Sequence, residues 1–212
     1  FTEIMSLCRS MEKPMSVTYL GPKGTFSEEA VLNRFGKSVT AVPCESIDEV
    51  FHKVESGMAS YGIVPVENSN EGVVGKTLDL LLQTSLKVCG EVLLPIHQCL
   101  LALHTDPGQI EKIYSHPQSL AQCHEWLNTN FPLPQAKRVV AASNAHAAMI
   151  AADDKSVAAI ASKKAAEVYK LSIYAENIED DPRNTTRFLV IGAQDVAPSG
   201  NDKTSLAMSS RN

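Results

Sequence analysis

Residues 87–103, KVCGEVLLPIHQCLLAL, are rich in Val, Ile and Leu and too long for a single strand. Pro95 stands in the middle with no N–H to give a sheet ladder, so the stretch predicts two strands meeting at a bend where the chain changes lobes. Upstream, strands and helices alternate. Strand Val17 to Leu20 passes through a glycine turn into a helix with Phe26, Ala30, Val31 and Phe35 on its apolar face. A strand follows at Val39 to Val42, then a helix opened by a Ser46/Glu49 capping box and ended by Gly57. Strand Ser60 to Val66, the loop ENSNEGVVG and a helix near Lys76 to Gln83 complete this half. Downstream the same alternation predicts strands at Lys112 to Tyr114, Arg138 to Val140, Val157 to Ile160, Ile173 to Ala175 and Thr186 to Gly192. Helices are expected at Gln118 to Thr129, at Ala145 to Ala152 behind a Ser143 cap, and at Lys163 to Tyr169. Such alternation argues for parallel sheets with helices on both faces, and the Pro95 break for two doubly wound α/β lobes. Ligands of open α/β sheets sit beyond the carboxyl ends of the strands, so the loops after strands are where chemistry is expected.

A chain of 212 residues, 44% hydrophobic and 20% charged, buries a core without disulfides or metal. The longest uncharged run, Val92 to Thr105, contains Pro95, His97, Gln98 and His104, which excludes a membrane span. With 19 Lys and Arg against 24 Asp and Glu, the net charge of -5 repels nucleic acid, so an anionic ligand needs a local site. The five cysteines are scattered without a CxxC pair, and no secretory signal precedes them, which reads as a reduced, cytoplasmic protein without structural zinc. No two histidines have metal-ligand spacing, so metal: none is the expectation.

Four polar constellations follow predicted strands. In GPKGTFS, a glycine turn opens a helix whose first N–H groups, with the hydroxyls of Thr25 and Ser27, suit a carboxylate or phosphate; a simple capped turn is the plainer alternative. In VPVENSNEG, Glu67 is a candidate acid or base and Asn68 and Ser69 are candidates to orient a carboxylate or hydroxyl, or merely satisfy a long loop. YSHPQSLAQ sets Ser115 and Gln118 at a helix start, while His116, beside a proline with no nearby Asp, is more often a packed or exposed residue than a base. In NTTRF, Arg187 is suited to fork onto a carboxylate or to close a salt bridge with Asp180 or Asp181.

Taken together, YLGPKGTFS, ESIDEVFHKVESGMASYGIVPVENSNEG, LPIHQCLL, YSHPQSLAQC and NTTRFLVIG resemble the prephenate dehydratase family in order and spacing over residues 17–192. The resemblance implies two α/β lobes around a cleft, as in type II periplasmic binding proteins. It implies conversion of prephenate to phenylpyruvate with loss of carbon dioxide and hydroxide, and no cofactor. It makes Thr186 the residue required for activity and places Glu67, Asn68, Ser115 and Gln122 in the cleft. Lys23 departs from the acidic residue many members carry there. The expected site is then Thr186 and Glu67 as catalytic groups, with Thr25, Ser27, Asn68, Ser69, Ser115, Gln118, Gln122, Arg187 and Phe188 binding substrate.

The expected organisation is a 16–194 dehydratase domain, with lobe 1 at about 16–94 and 178–194 and lobe 2 at about 95–177. Residues 1–15, with Phe1, Ile4, Met5, Cys8 and Met11 at helical spacing, resemble the closing helix of a chorismate mutase domain. Residues 195–212 read as a linker and the opening strand of a phenylalanine-sensing ACT domain, so this chain is expected not to respond to phenylalanine. The expected partners are small-molecule prephenate and, in a full-length enzyme, a homodimer or higher homo-oligomer. Arogenate dehydratase and a noncatalytic two-lobe solute-binding protein are the alternatives.

Overall fold

The computed structural model describes residues 3, 7–8, 15–132, 135–204 and 206. The helix expected over residues 1–13 and the strand expected in 206–212 lie for the most part outside the described residues.

The first sheet is built from β1 (Ser16–Leu20), β2 (Thr40–Cys44), β3 (Tyr61–Asn68), a short β4 (Gly72–Val73) and β5 (Lys87–Pro95), with α1 (Phe26–Phe35), α2 (Ile47–Glu55) and α3 (Gly75–Leu81) between them. The chain then makes β6 (Cys99–Ala102), β7 (Lys112–Ser115), α4 (Pro117–Gln122), α5 (His124–Asn130), β8 (Lys137–Val140), α6 (Asn144–Asp153), β9 (Val157–Ala161), α7 (Lys163–Tyr169) and β10 (Ser172–Ala175). It returns to the first sheet as β11 (Thr185–Gly192). The strand orders are β2-β1-β3-β11-β5 and β10-β6-β9-β7-β8, so Pro95 ends the last strand before the chain changes sheets.

Local signals account for most helix starts. Thr25 Oγ1 accepts from the Glu28 N–H at 3.4 Å, and Glu28 and Glu29 occupy the positively polarised first turn of α1. In α2, Ser46 Oγ accepts from Glu49 N at 3.2 Å; the returning Glu49 carboxylate takes the Glu45 N–H at 2.7 Å, one residue before the expected partner.

Three expectations are corrected. The sheets are mixed: β2, β1 and β3 are parallel, as are β8, β7 and β9, but β11 runs antiparallel to β3 and β5, and β6 antiparallel to β9 and β10. Glu67 and Asn68 belong to β3 rather than to a loop, because β11 lies beside them with Arg187 opposite Glu67 and Thr186 opposite Asn68. The helix expected from Gln118 to Thr129 breaks at Cys123, where Asp180 accepts the Glu125 and Trp126 N–H groups at 3.0 and 3.1 Å and starts α5 afresh.

Each sheet buries a core on both faces. Val17, Tyr19, Ile63, Leu94 and Phe188 pack with Ala30 of α1, while Val64, Val66, Leu189 and Ile191 pack with Val50 of α2. In the second lobe, alanines of α6, β9 and α7 let helices and sheet approach closely. The two connections between lobes run side by side: Ile96 N donates to Asn184 O at 2.8 Å, Ile178 N to Gln98 O at 3.0 Å, and Gln98 N to the buried Glu179 carboxylate at 2.8 Å.

Candidate active site

The loops after β1, β7, β8 and β9 meet across the gap between lobes. They line an open cavity of about 280 Å³, with Leu20, Gly24, Thr25 and Ser27 from the first lobe and Gln118, Ser119, Ser143, Asn144 and Ser162 among others from the second. Helices α1 and α6, ten residues each, begin at this cavity. Thr25, Ser143 and Ser162 each cap one N–H of their helices, and the first N–H groups of each helix have no partner within it. The α6 end is electropositive, while the α1 end already carries Glu28, whose buried carboxylate accepts the Gly24 N–H at 2.6 Å. No Asp or Glu is among the lining residues, so a chain of net charge -5 here presents a site for anions.

The lobes touch around this cavity. Ser162 Oγ donates to Gly24 O at 3.0 Å and Tyr169 Oη to Lys23 O at 3.1 Å, so α7 of the second lobe holds the β1–α1 loop of the first. Gly24 has φ +84° and its α-carbon faces Ala165 and Tyr169 closely enough that an added Cβ lies 3.1 Å from each.

A chain of amides and hydroxyls joins the two lobes. Asn68 Nδ2 donates to Thr186 Oγ1 at 2.9 Å and to Asn184 Oδ1 at 2.8 Å. Asn184 Nδ2 donates to Gln122 Oε1 at 3.1 Å. Farther along, Gln98 Nε2 donates to Ser119 Oγ at 3.2 Å, as does Asn144 Nδ2 at 2.8 Å. Both lone-pair positions of the Ser119 hydroxyl are thereby occupied, and its own proton is left for an acceptor. The Gln122 Nε2 donor is buried with no protein partner.

The structure therefore brings Asn68, Gln122 and Thr186 into one network and Thr25, Ser27 and Gln118 onto the cavity. His116 also lines the cavity, its backbone N–H held by Asn144 Oδ1 at 3.1 Å. Other expected residues are placed differently. Ser115 is fully buried, its one hydroxyl proton shared between Asn144 Oδ1 and Ile160 O, both at 2.9 Å, so it lies beneath the cavity and supports Asn144. Phe188 is a core residue of the first lobe, 2% exposed. Ser69 ties its loop to β11 by exchanging hydrogen bonds with Thr185.

Glu67 and Arg187 face each other across β3 and β11, and strand alternation puts both on the side opposite Thr186 and Asn68. Glu67 is exposed there. Arg187 pairs with neither Asp180 nor Asp181: its Nε donates to Glu91 at 2.9 Å. Lys203 binds the other Glu91 oxygen, and these two cations hold the Glu91 carboxyl below its usual range.

Asn144, Asn184, Gln98, Ser119 and Ser162 carry site geometry without having been singled out. The available signal was position: Asn144 and Ser162 lie in the short turns between a predicted strand and the helix after it, as Thr25 does. Burial pushes the Cys99 thiol up to about 11 and raises Cys123 as well, which keeps both protonated. Among the described residues, no group of three His, Cys, Asp or Glu side chains is placed to hold a metal, and no helix is long and apolar enough to cross a membrane.

Residues 17–196 match the family model described as prephenate dehydratase. The chain belongs to the prephenate dehydratase family. It is 50% identical over 215 residues to a bifunctional chorismate mutase/prephenate dehydratase of Neisseria gonorrhoeae, a match spanning 100% of this chain and 59% of that protein. Arogenate dehydratase 1 of Petunia hybrida is 40% identical, over 87% of this chain and 43% of its own length. Among solved structures, a prephenate dehydratase from Arthrobacter aurescens in complex with L-Phe superposes with a TM-score of 0.79 at 33% identity, over 90% of this chain and 63% of that one.

Proposed function

We propose that this chain dehydrates and decarboxylates prephenate to phenylpyruvate. The observation that carries the reading is a cavity free of acidic lining residues, joined from Ser119 through Gln98, Gln122, Asn184 and Asn68 to the Thr186 hydroxyl, whose acceptor side is taken by Asn68. Aromatisation of the ring supplies the driving force, so the protein needs to fix two carboxylates and ease the departure of hydroxide. Helix N-termini and cavity hydroxyls hold the carboxylates. Thr186 donates its hydrogen bond to the leaving oxygen, where negative charge develops as the C–O bond breaks; the ring carboxylate leaves as carbon dioxide and its electron pair enters the ring. A threonine hydroxyl is too weak an acid to give up its proton outright, so the oxygen leaves as hydroxide hydrogen-bonded to Thr186 and takes its proton from the acid form of the solvent buffer. Glu67, exposed on the other side of the sheet, has no part in this scheme.

The higher identity to the chorismate mutase/prephenate dehydratase, 50% against 40% for the arogenate dehydratase, favours prephenate over arogenate. The test is ultraviolet appearance of phenylpyruvate from prephenate with arogenate run in parallel. Phenylpyruvate from prephenate, at a kcat/KM above that for arogenate, is expected; turnover of neither sinks the reading, and preference for arogenate replaces it.

Residues 16–194 are the proposed dehydratase unit. The whole protein is proposed to be a cytoplasmic homo-oligomer.

A further inference from the structure

Asn184 sits where the two connections between lobes run side by side, accepting the Ile96 N–H on its carbonyl at 2.8 Å. Its side chain is on a residue only 1% exposed and reaches both lobes: Oδ1 accepts from Asn68 of β3, and Nδ2 donates to Gln122 of α4. Asn68 in turn uses every position of its amide. Its Oδ1 accepts the N–H groups of Asn70 and Glu71 at 3.0 and 3.2 Å, and its two N–H groups go to Asn184 and Thr186.

The orientation of that amide decides what Thr186 can do. With nitrogen toward Thr186, the hydroxyl accepts and its proton is available to substrate. With oxygen toward Thr186, the hydroxyl would donate to Asn68 and have no proton to offer. The Asn70 and Glu71 N–H groups on Oδ1 fix the first orientation, and Asn184 Oδ1, which takes the second N–H, holds the amide in place. Asn184 in turn presents its Nδ2 to Gln122 Oε1 of the second lobe. The polarity of the Thr186 hydroxyl is thus set at the end of β3, and Asn184 ties the amide that carries it to the second lobe.

We propose that Asn184 is a positioning residue for the dehydration: by accepting the second N–H of Asn68 it holds that amide against Thr186 Oγ1, and through Gln122 it ties the amide to the second lobe. The proposal rests on the function assigned above to Thr186. A double-mutant cycle tests it, with steady-state kinetics on prephenate for the parent, Asn184→Ala, Thr186→Ala and the double variant. The expected result is a fall in kcat of about 30-fold for Asn184→Ala with KM within about twofold, and no further loss when it is added to Thr186→Ala, because its effect passes through that hydroxyl. Losses that multiply in the double variant, or a KM change alone, overturn the proposal in favour of a packing role. Should Asn184→Ala fail to fold, the same cycle is run with Asn184→Asp, which keeps the volume and the acceptor for Asn68 but loses the donor to Gln122. A kcat loss of about fivefold that vanishes in the Thr186→Ala background is then expected, and a multiplying loss or unchanged kcat overturns the proposal. An inactive parent, or a fully active Thr186→Ala, defeats the functional reading itself and is separate from these outcomes.

Discussion

Asn68 Nδ2 stands 2.9 Å from Thr186 Oγ1, and because the amide nitrogen donates, the threonine proton is left for another acceptor. A hydrogen bond to a departing hydroxide strengthens as charge develops, so Thr186→Ala is expected to lower kcat by about 100-fold or more with little change in KM. Thr186→Ser keeps the hydroxyl and should retain most turnover. Near-normal kcat in the alanine variant would remove Thr186 from the chemistry.

Arg187 is held by Glu91 on the opposite side of the sheet, in a partly exposed pair whose side chains are 33% and 26% accessible. Arg187→Lys should therefore leave the KM for prephenate within about twofold and cost about 1 kcal/mol or less of stability. A KM rise of tenfold or more would mean that Arg187 turns to substrate during turnover.

The same cluster predicts a pH dependence. Lys203, and then Arg187, depress the Glu91 carboxyl. A depressed carboxyl contributes stability that is complete above its unfolded pKa of about 4.3 and is lost as pH falls through the lower folded value. Thermal midpoints measured from pH 7 down to pH 3 should fall less steeply for Glu91→Gln than for the parent. Parallel declines would show that the pair contributes nothing to folding.

The elements that sequence makes legible are those whose causes are local. The Ser46–Glu49 cap, the Pro95 break and the Ser143 cap each depend on residues within a few positions of one another. The antiparallel return of β11 does not, because its direction is set by pairing with β3 and β5 from the far side of the second lobe. The site divides in the same way. That polar residues cluster after strands can be read directly, but Glu67 and Asn68 are neighbours in sequence and point to opposite sides, and only the register with Thr186 tells which one meets it. Ser115 has the sequence context of a ligand-binding serine; its burial follows from Asn144 and Ile160, which come from later elements.

Gly24 separates the first lobe from α7, and an added Cβ would meet Ala165 Cα and Tyr169 Cε2 at 3.1 Å while forcing a φ of +84° on a residue with a side chain. Gly24→Ala is expected to cost about 1–3 kcal/mol and to push the β1–α1 loop away from the second lobe, raising KM because Thr25 and Ser27 move with it. Chemical denaturation and steady-state kinetics check the two effects separately. Unchanged stability and KM would show that the lobes are not held in this contact during turnover.

Ser119 provides the last test, because its role follows from hydrogen-bond arithmetic. Asn144 Nδ2 and Gln98 Nε2 both donate to its oxygen, the residue is 4% exposed, and it lines the cavity, so its proton is available to an anion there. A neutral donor to a charged acceptor is worth about 1.5–3 kcal/mol, some of which water restores when the hydroxyl is removed. Ser119→Ala should accordingly raise KM by about 3- to 10-fold while leaving kcat within about twofold, since a carboxylate is held equally in the ground and transition states. The variant also strands two amide donors, so its thermal midpoint should drop. A lowered midpoint with an unchanged KM would confine Ser119 to supporting Asn144 and Gln98, and a loss confined to kcat would place it beside the leaving group with Thr186.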